Sequence, residues 1–467
     1  MLFTTTTFIF YFLPTCLFVY YVFFRRNRVA QNTFLFIMSI LFYAWGEPWF
    51  VLMMLLSIVS NWYFALKIDA QQDQIKRRNI MILMLICNFG IMFIFKYLNF
   101  TIFSMNSLLD FKIPQTHIIL PIGISFFTFQ AVSYVLDVYR RHTPVQKKLM
   151  YVGFYVAFFP QLIAGPIVRY ETIAYEIENR IENIPDFNYG VRRFMVGLGK
   201  KILIANNVAL VADAAFKANA SSLLGFKMAW LGIVAYTLQI YFDFSGYSDM
   251  AIGMGKMFGF HFLENFNFPY LAKSISDFWR RWHISLSTWF RDYVYFPLGG
   301  SRVDSKIRLV FNLFVVWSLT GLWHGANWTF IVWGVMYFIL IALEKTTGFA
   351  DKLGFFGHIY TMAFVMIGWI IFRAETMTLA VQYFMSLFKV NALADQNFLI
   401  YFSEFKVFII LGILVSLNIP QKAFSLIRIK NKTVQETLIQ IGYAFLFILC
   451  ITYIVKGSYN PFIYFNF

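Results

Sequence analysis

Apolar residues in this chain come in long continuous runs joined by short polar or basic connections, without the strict alternation of a half-buried strand. Runs of about 18 to 22 residues recur from the first residues to Cys450, and each is long enough to cross a hydrocarbon core of about 30 Å as a helix. Continuity of the runs argues against a membrane β-barrel, whose strands alternate between lipid and lumen. Spans are predicted near Phe8 to Phe24, Thr33 to Trp45, Trp49 to Leu66, Ile80 to Phe95 and Leu120 to Tyr139, the second being short enough to be tilted or partly re-entrant. Plainer spans return after Glu344, near Tyr360 to Phe372, Val407 to Ile419 and Ile439 to Val455. Between them, Ala374 to Val390 reads as a surface helix and Asn391 to Ser403 as a loop. The expected fold is an all-α polytopic integral membrane protein of about ten to twelve transmembrane helices, with re-entrant or interfacial helices around a buried polar cavity. It forms one membrane-embedded domain: N-terminal spans in 1–148, core segments in 149–345 and C-terminal spans in 346–467.

The core segments depart from the simple pattern. Phe159 to Pro166 sets two prolines and a glycine in an apolar run; Gln239 to Asp249 carries Asp243, Ser245, Ser248 and Asp249 after an apolar helix. Asp277 to Pro297 mixes Trp with Arg like a helix at the membrane interface, and Trp317 to Trp333 holds His324. Irregular or polar chain survives at membrane depth only where protein or a watery cavity covers it, so these four segments are expected to surround one hydrophilic cavity.

Composition agrees: 60% hydrophobic and 21% aromatic residues with only 13% charged do not fit a water-facing surface. The net charge of +16 lies in short clusters between apolar runs and forms no nucleic-acid-binding stripe. Arg25, Arg26 and Arg28 follow the first span; Lys67, Lys76, Arg77 and Arg78 the third; Arg140, Arg141, Lys147 and Lys148 the fifth. By the positive-inside rule these loops are cytoplasmic and the N-terminus is outside, with Gly46-Glu47-Pro48 an outer turn. The first run lacks a basic region before it and reads as a span, not a cleaved signal peptide. Cys16, Cys87 and Cys450 lie in apolar segments without metal or redox spacing and read as packing residues.

His324 is the prime candidate for chemistry, since ionisable groups at membrane depth are rare and default to functional sites. On one continuous helix it would share a face with Thr320 and Asn327, while Gly321 and Gly325 would admit a close backbone or substrate chain. Burial would keep its imidazole neutral, which suits a general base; the plain alternative is a hydrogen-bonded packing histidine. In the interfacial segment, Arg280, Arg281 and Arg291 suit the phosphates of a donor such as coenzyme A and equally suit lipid headgroups. His283 reads as a second catalytic group or an interfacial residue. Asp243 and Asp249 are expected to pair with a histidine or an arginine. No metal-ligand spacing, phosphate loop or nucleophile elbow is present, so neither a metal site nor a covalent serine enzyme is expected; nor is a bound cofactor expected.

Five ordered blocks resemble the bacterial branch of the membrane-bound O-acyltransferase family, which takes in alginate O-acetylation proteins and the D-alanyl transfer proteins of teichoic acid synthesis. They are Leu41-Phe42-Tyr43-Ala44-Trp45-Gly46-Glu47-Pro48, Phe159-Pro160-Gln161-Leu162-Ile163-Ala164-Gly165-Pro166, Tyr241 to Asp249, Phe278 to Ser287 and Gly321-Leu322-Trp323-His324-Gly325-Ala326-Asn327-Trp328. The resemblance implies that His324 is the catalytic histidine and His283 a second residue needed for activity. From the residues themselves, Trp323, Asn327, Asp243 and the three arginines are the candidate donor or substrate contacts. It further implies an inner-membrane enzyme that takes acetyl from a cytoplasmic donor, acetyl-CoA. The acetyl group passes to an extracytoplasmic transferase partner that modifies a polysaccharide or peptidoglycan. Phe372-Arg373-Ala374-Glu375 looks closer to the acetylating subgroup than to the D-alanyl transferring one. A transporter or flippase of a lipid-linked glycan, and a lipid acyltransferase, are the competing readings.

Overall fold

The computed structural model describes the chain apart from residues 110, 164, 390–394, 396, 427–430, 458–461 and 463–467. Among the described residues all regular structure is helical. Nine of these helices are long and apolar enough to cross a membrane, and Phe8–Phe23 and Ile124–Tyr139 are shorter apolar helices. The protein is an all-α multi-pass membrane protein, as the apolar runs lead one to expect.

Several boundaries differ from the sequence reading, each for a physical reason. The second run is a full helix, Arg28–Gly46, of 19 residues. Its polar first turns hid this, because Asn32 Nδ2 donates to Ile177 O at 2.7 Å and Arg28 forms an ion pair with Glu182. The fourth continues past Lys96 as Gln74–Leu109, because a π-helical turn, Phe93–Tyr97, carries Lys96 to within 3.4 Å of Ser125 Oγ. Phe226–Met257 is one unbroken helix, so Asp243 and Asp249 do not lie in irregular chain. The expected loop at 391–403 is helical from Phe398 onward, and its residues 391–394 and 396 lie outside the described residues. Cys87 is exposed on its helix and packs nothing inside, unlike the buried Cys16 and Cys450.

The chain divides into two compact units, Met1–Phe194 with Met250–Leu263, and Met195–Asp249 with Glu264–Phe467. All three borders fall inside the core segments 149–345. In the first unit Ile124–Tyr139 is the central helix, buried from Ile124 to Val138 although it carries Ser125, Thr128, Gln130, Ser133 and Asp137. The surrounding helices instead expose Leu52, Leu56, Leu83 and Ile86. Polar groups inside and large apolar groups outside are the arrangement that lipid favours. The proline-containing segment after Leu149–Ala157 is covered by protein: Phe158 to Ile163 are buried, Phe159 N donates to Ser39 Oγ at 3.0 Å, and Tyr155 OH to Val168 O at 2.8 Å. Gly165 is required here, since a Cβ would stand 2.5 Å from Gln161 Cα. Ala164 of that block lies outside the described residues.

In the second unit, Gly246 lets its helix approach the Lys200–Ala205 π-helical turn, where a Cβ would meet Gly197 O at 2.7 Å. That approach brings Lys201 Nζ to 2.6 Å from Asp243 Oδ1 and Lys200 Nζ to 2.6 Å from Asp249 Oδ2. The carboxylates are thus matched by lysines of a neighbouring apolar helix. The interfacial segment is two short helices, Ile275–Arg281 and Ile284–Phe290, broken at His283. Buried Glu344 anchors the first by accepting from Ile275 N at 2.6 Å and Ser276 N at 2.8 Å, which are free helix-terminal donors. Helices Lys306–His324 and Trp328–Thr347 form an antiparallel hairpin that closes at Gly321 and Gly334. A Cβ on Gly321 would stand 2.6 Å from Phe330 O, and one on Gly334 2.6 Å from Trp317 O.

Candidate active site

The apolar stretch Trp317 to Trp333 is therefore a hairpin apex and not one helix. Lys306–His324 ends at His324, Gly325 takes extended backbone, and Asn327 caps the next helix by accepting from Thr329 N at 3.2 Å. Asn327 Nδ2 also donates to Glu375 O at 2.9 Å. Asn327 thus does not share a helical face with His324, whereas Thr320, one turn earlier on the same helix, does. The close approach read from the two glycines is present: Gly321 meets backbone, and the space at Gly325 is filled by the Phe330 ring.

His324 is 4% exposed, in an aromatic box. Its ring meets Trp323, Trp333 and Phe372 edge-on, with centroids 5.0, 4.9 and 5.1 Å away. His283 is 1% exposed. Its ring centroid lies 4.6 Å from that of Phe244 and 6.0 Å from that of Trp323, so the Trp323 ring packs against both histidines. His283 is not on a membrane-spanning helix, and burial holds its imidazole well below the usual pKa, neutral at pH 7.

A cavity of about 390 Å³ opens beside His283. Its walls include Ser276, Trp279, Arg280, Ser287, Arg291, Trp317, Thr320 and Lys345. Of the three arginines singled out by sequence, Arg280 and Arg291 line it. Arg281 does not; its Nε lies 3.0 Å from Asp277 Oδ1. Arg291 Nε is 2.8 Å from Asp292 Oδ1, while Arg280 Nε donates only to its own helix, to Ser276 O at 3.2 Å. His324, Trp323, Asn327 and Asp243 are not among the lining residues, although Thr320 brings the cavity to about one helical turn from His324.

Sequence reasoning missed Lys345, because it sits at the end of an otherwise plain apolar helix. It also missed Lys200 and Lys201, which the rarity of charges in apolar runs flags as much as it flags His324. Asn265 was missed with no local signal to find it. Its Oδ1 accepts from Ser285 N at 3.1 Å and Ser285 Oγ at 3.0 Å and lies 3.2 Å from His283 Nδ1, and its Nδ2 donates to Ser248 Oγ at 3.0 Å.

Fold and site together define a multi-pass membrane helix bundle that buries two histidines, one of them, His283, bordering a cation-lined cavity. The family pattern described as MBOAT, membrane-bound O-acyltransferase family, matches residues 140–381. "Probable alginate O-acetylase AlgI" of Pseudomonas aeruginosa is 43% identical over 396 residues, covering 83% of this chain and 75% of that protein. "Peptidoglycan O-acetyltransferase" of Helicobacter pylori is 36% identical over 417 residues, 82% of this chain and 79% of that protein. "Teichoic acid D-alanyltransferase" of Bacillus subtilis is 31% identical over 240 residues, 49% of this chain and 60% of that protein. The chain belongs to the membrane-bound O-acyltransferase family. It is an O-acyltransferase.

Proposed function

We propose that the protein is a bacterial inner-membrane O-acetyltransferase that takes acetyl from cytoplasmic acetyl-CoA and delivers it outward for O-acetylation of an exported polysaccharide or peptidoglycan, through an extracytoplasmic transferase partner. The observation that carries this reading is the cavity that His283, Arg280, Arg291 and Lys345 line together. Cations not fully matched by carboxylates suit the phosphates of a coenzyme A donor. The cavity continues along the Lys306–His324 helix from Leu313 to Thr320, about 10 Å at 1.5 Å per residue, towards His324. Acetyl transfer is favoured over D-alanyl transfer by the named O-acetylating relatives, whose similarity extends over more than four-fifths of the chain. The basic clusters after the first, third and fifth apolar runs support a cytoplasmic face there and an N-terminus outside.

In this reading His324 takes the proton of the acceptor hydroxyl as its oxygen attacks the thioester carbonyl. The carbon–sulfur bond then breaks, and coenzyme A leaves as the thiol after protonation. Holding both substrates in one dry site supplies much of the remaining acceleration. The test is thiol release from acetyl-CoA by the purified full chain in nanodiscs, with base-released acetate on envelope glycan measured in cells. His324→Ala is expected to remain folded and lose both signals. Normal glycan acetate in a well-expressed variant sinks the assignment, and a wild type that releases no thiol favours a transporter.

A further inference from the structure

His283 occupies a backbone conformation that few side chains adopt, with φ 43° and ψ 55°. The left-handed region costs a non-glycine residue about 1 kcal/mol or more, so neighbouring structure must impose it. It is imposed by the segment around Asn265, which lies beside the break between the two short helices. Asn265 O accepts from Ile284 N at 3.0 Å, and Asn267 N donates to Arg281 O at 2.9 Å. The side chain of Asn265, wholly buried, faces the same break.

The orientation of that amide follows from its partners. Ser285 N, 3.1 Å away, is a backbone donor, so the atom facing it is the amide oxygen. An amide oxygen only accepts, and His283 Nδ1 lies 3.2 Å from the same oxygen. Two lone-pair-bearing atoms at that separation would repel, so the hydrogen is on Nδ1. The one hydrogen of Ser285 Oγ goes to Asn265 Oδ1 at 3.0 Å, a shorter contact than the 3.4 Å from Oγ to Nδ1. The amide is held from its other end by donation from Nδ2 to Ser248 Oγ at 3.0 Å.

We propose that Asn265 is a positioning residue for acyl transfer: it holds His283 as the Nδ1–H tautomer, so that Nε2 carries the basic lone pair on a ring that borders the donor cavity. The tautomer stands on hydrogen bonding alone, and only its effect on rate rests on the acetyl-transfer reading. It gives His283 a proton-accepting role next to the donor, separate from His324 in its aromatic box. It also links the Tyr241 to Asp249 block to the site, through Ser248, Asn265 and His283.

The direct test is ¹⁵N NMR of histidine-labelled full-length protein in nanodiscs at neutral pH, with His283→Gln used to assign the signal. A protonated Nδ1 and an unprotonated Nε2 are expected at His283, the opposite of the form a neutral histidine in water favours. An Nε2–H signature in the wild type overturns the proposal outright, whatever the donor. The kinetic test is acetyl-CoA turnover by Asn265→Leu and Asn265→Asp. The leucine variant is expected to lose kcat on the order of 100-fold with KM for acetyl-CoA within about two-fold, and the aspartate variant, which keeps the acceptor oxygen, to recover part of the loss. Adding Asn265→Leu to His283→Gln is expected to cost nothing further; a full additional loss overturns the coupling. Should Asn265→Leu fail to fold, the wild-type spectrum and the aspartate variant decide. A wild type without turnover but with the Nδ1–H spectrum leaves the tautomer standing and rejects acetyl-CoA as donor.

Discussion

Lys201 Nζ lies 2.6 Å from Asp243 Oδ1, and the two side chains are 6% and 1% exposed. At that burial neither charge keeps its hydration, and each offsets part of the other's cost of burial. The pair accounts for a buried carboxylate in the middle of the helix Phe226–Met257. Removing one partner by Asp243→Ala takes the nearest opposite charge from a buried lysine and is expected to cost about 3–5 kcal/mol. The double variant Asp243→Leu with Lys201→Met is expected to recover most of that loss. Thermal midpoints in detergent, read on the wild type, Asp243→Ala and the double variant, check this; an Asp243→Ala protein as stable as the wild type sinks it.

The hairpin crossing leads to a second expectation. Gly321 and Gly334 meet with no room for a side chain, and Gly321 is less than one turn from His324. Gly321→Val must push the helices apart or bend them, at about 1–3 kcal/mol, and must tilt the His324 ring within its box. Glycan acetylation is expected to fall by at least ten-fold while the protein still reaches the membrane. Gly442→Ala is the control, because a Cβ there meets nothing within 4 Å.

Charge placement in the cavity separates residues that the sequence left equivalent. Arg280 and Lys345 line it, whereas Arg281 is held by Asp277 outside it. Arg280→Ala and Lys345→Ala are each expected to raise KM for acetyl-CoA about ten-fold or more, as the loss of one charge-assisted contact of about 1.5 kcal/mol would do. Arg281→Ala is expected to leave KM unchanged. Equal effects from all three would point to membrane anchoring and away from donor binding.

Which parts of this arrangement were legible in the sequence follows from the range of the interactions. Spans could be read because hydrophobic length is a local property, and His324 because an ionisable group in an apolar run is conspicuous at once. Arg28–Gly46 looked short because its polar start is satisfied by Ile177 and Glu182, more than a hundred residues away. Asn327 was placed on the face of His324 by assuming one continuous helix. Gly325 just after a helix and Asn327 just before the next are the ordinary stop and cap signals, so this break was readable. Asn265 was not, since an asparagine in loop-like sequence says nothing of which histidine it will meet. Its role arises only when the chain around 265 is laid beside the break at His283.

Burial of His283 also sets a pH dependence. Burial lowers the imidazole pKa from its ordinary 6.5 to about 3. The unfolded chain therefore takes up a proton below pH 6.5 that the folded protein refuses, and proton uptake favours unfolding. The stabilising contribution is fully present above pH 6.5 and is lost as pH falls from there towards the folded value. Each pH unit in that window removes up to about 1.4 kcal/mol, or about 2 kcal/mol by pH 5. The two proteins to compare are the wild type and His283→Gln, which cannot take up this proton but shares every other titrating group. The wild type is expected to lose more thermal midpoint than His283→Gln between pH 7.5 and pH 5. Parallel losses would mean that His283 reaches solvent and titrates normally, and would remove the basis for treating it as a buried base that stays neutral at pH 5.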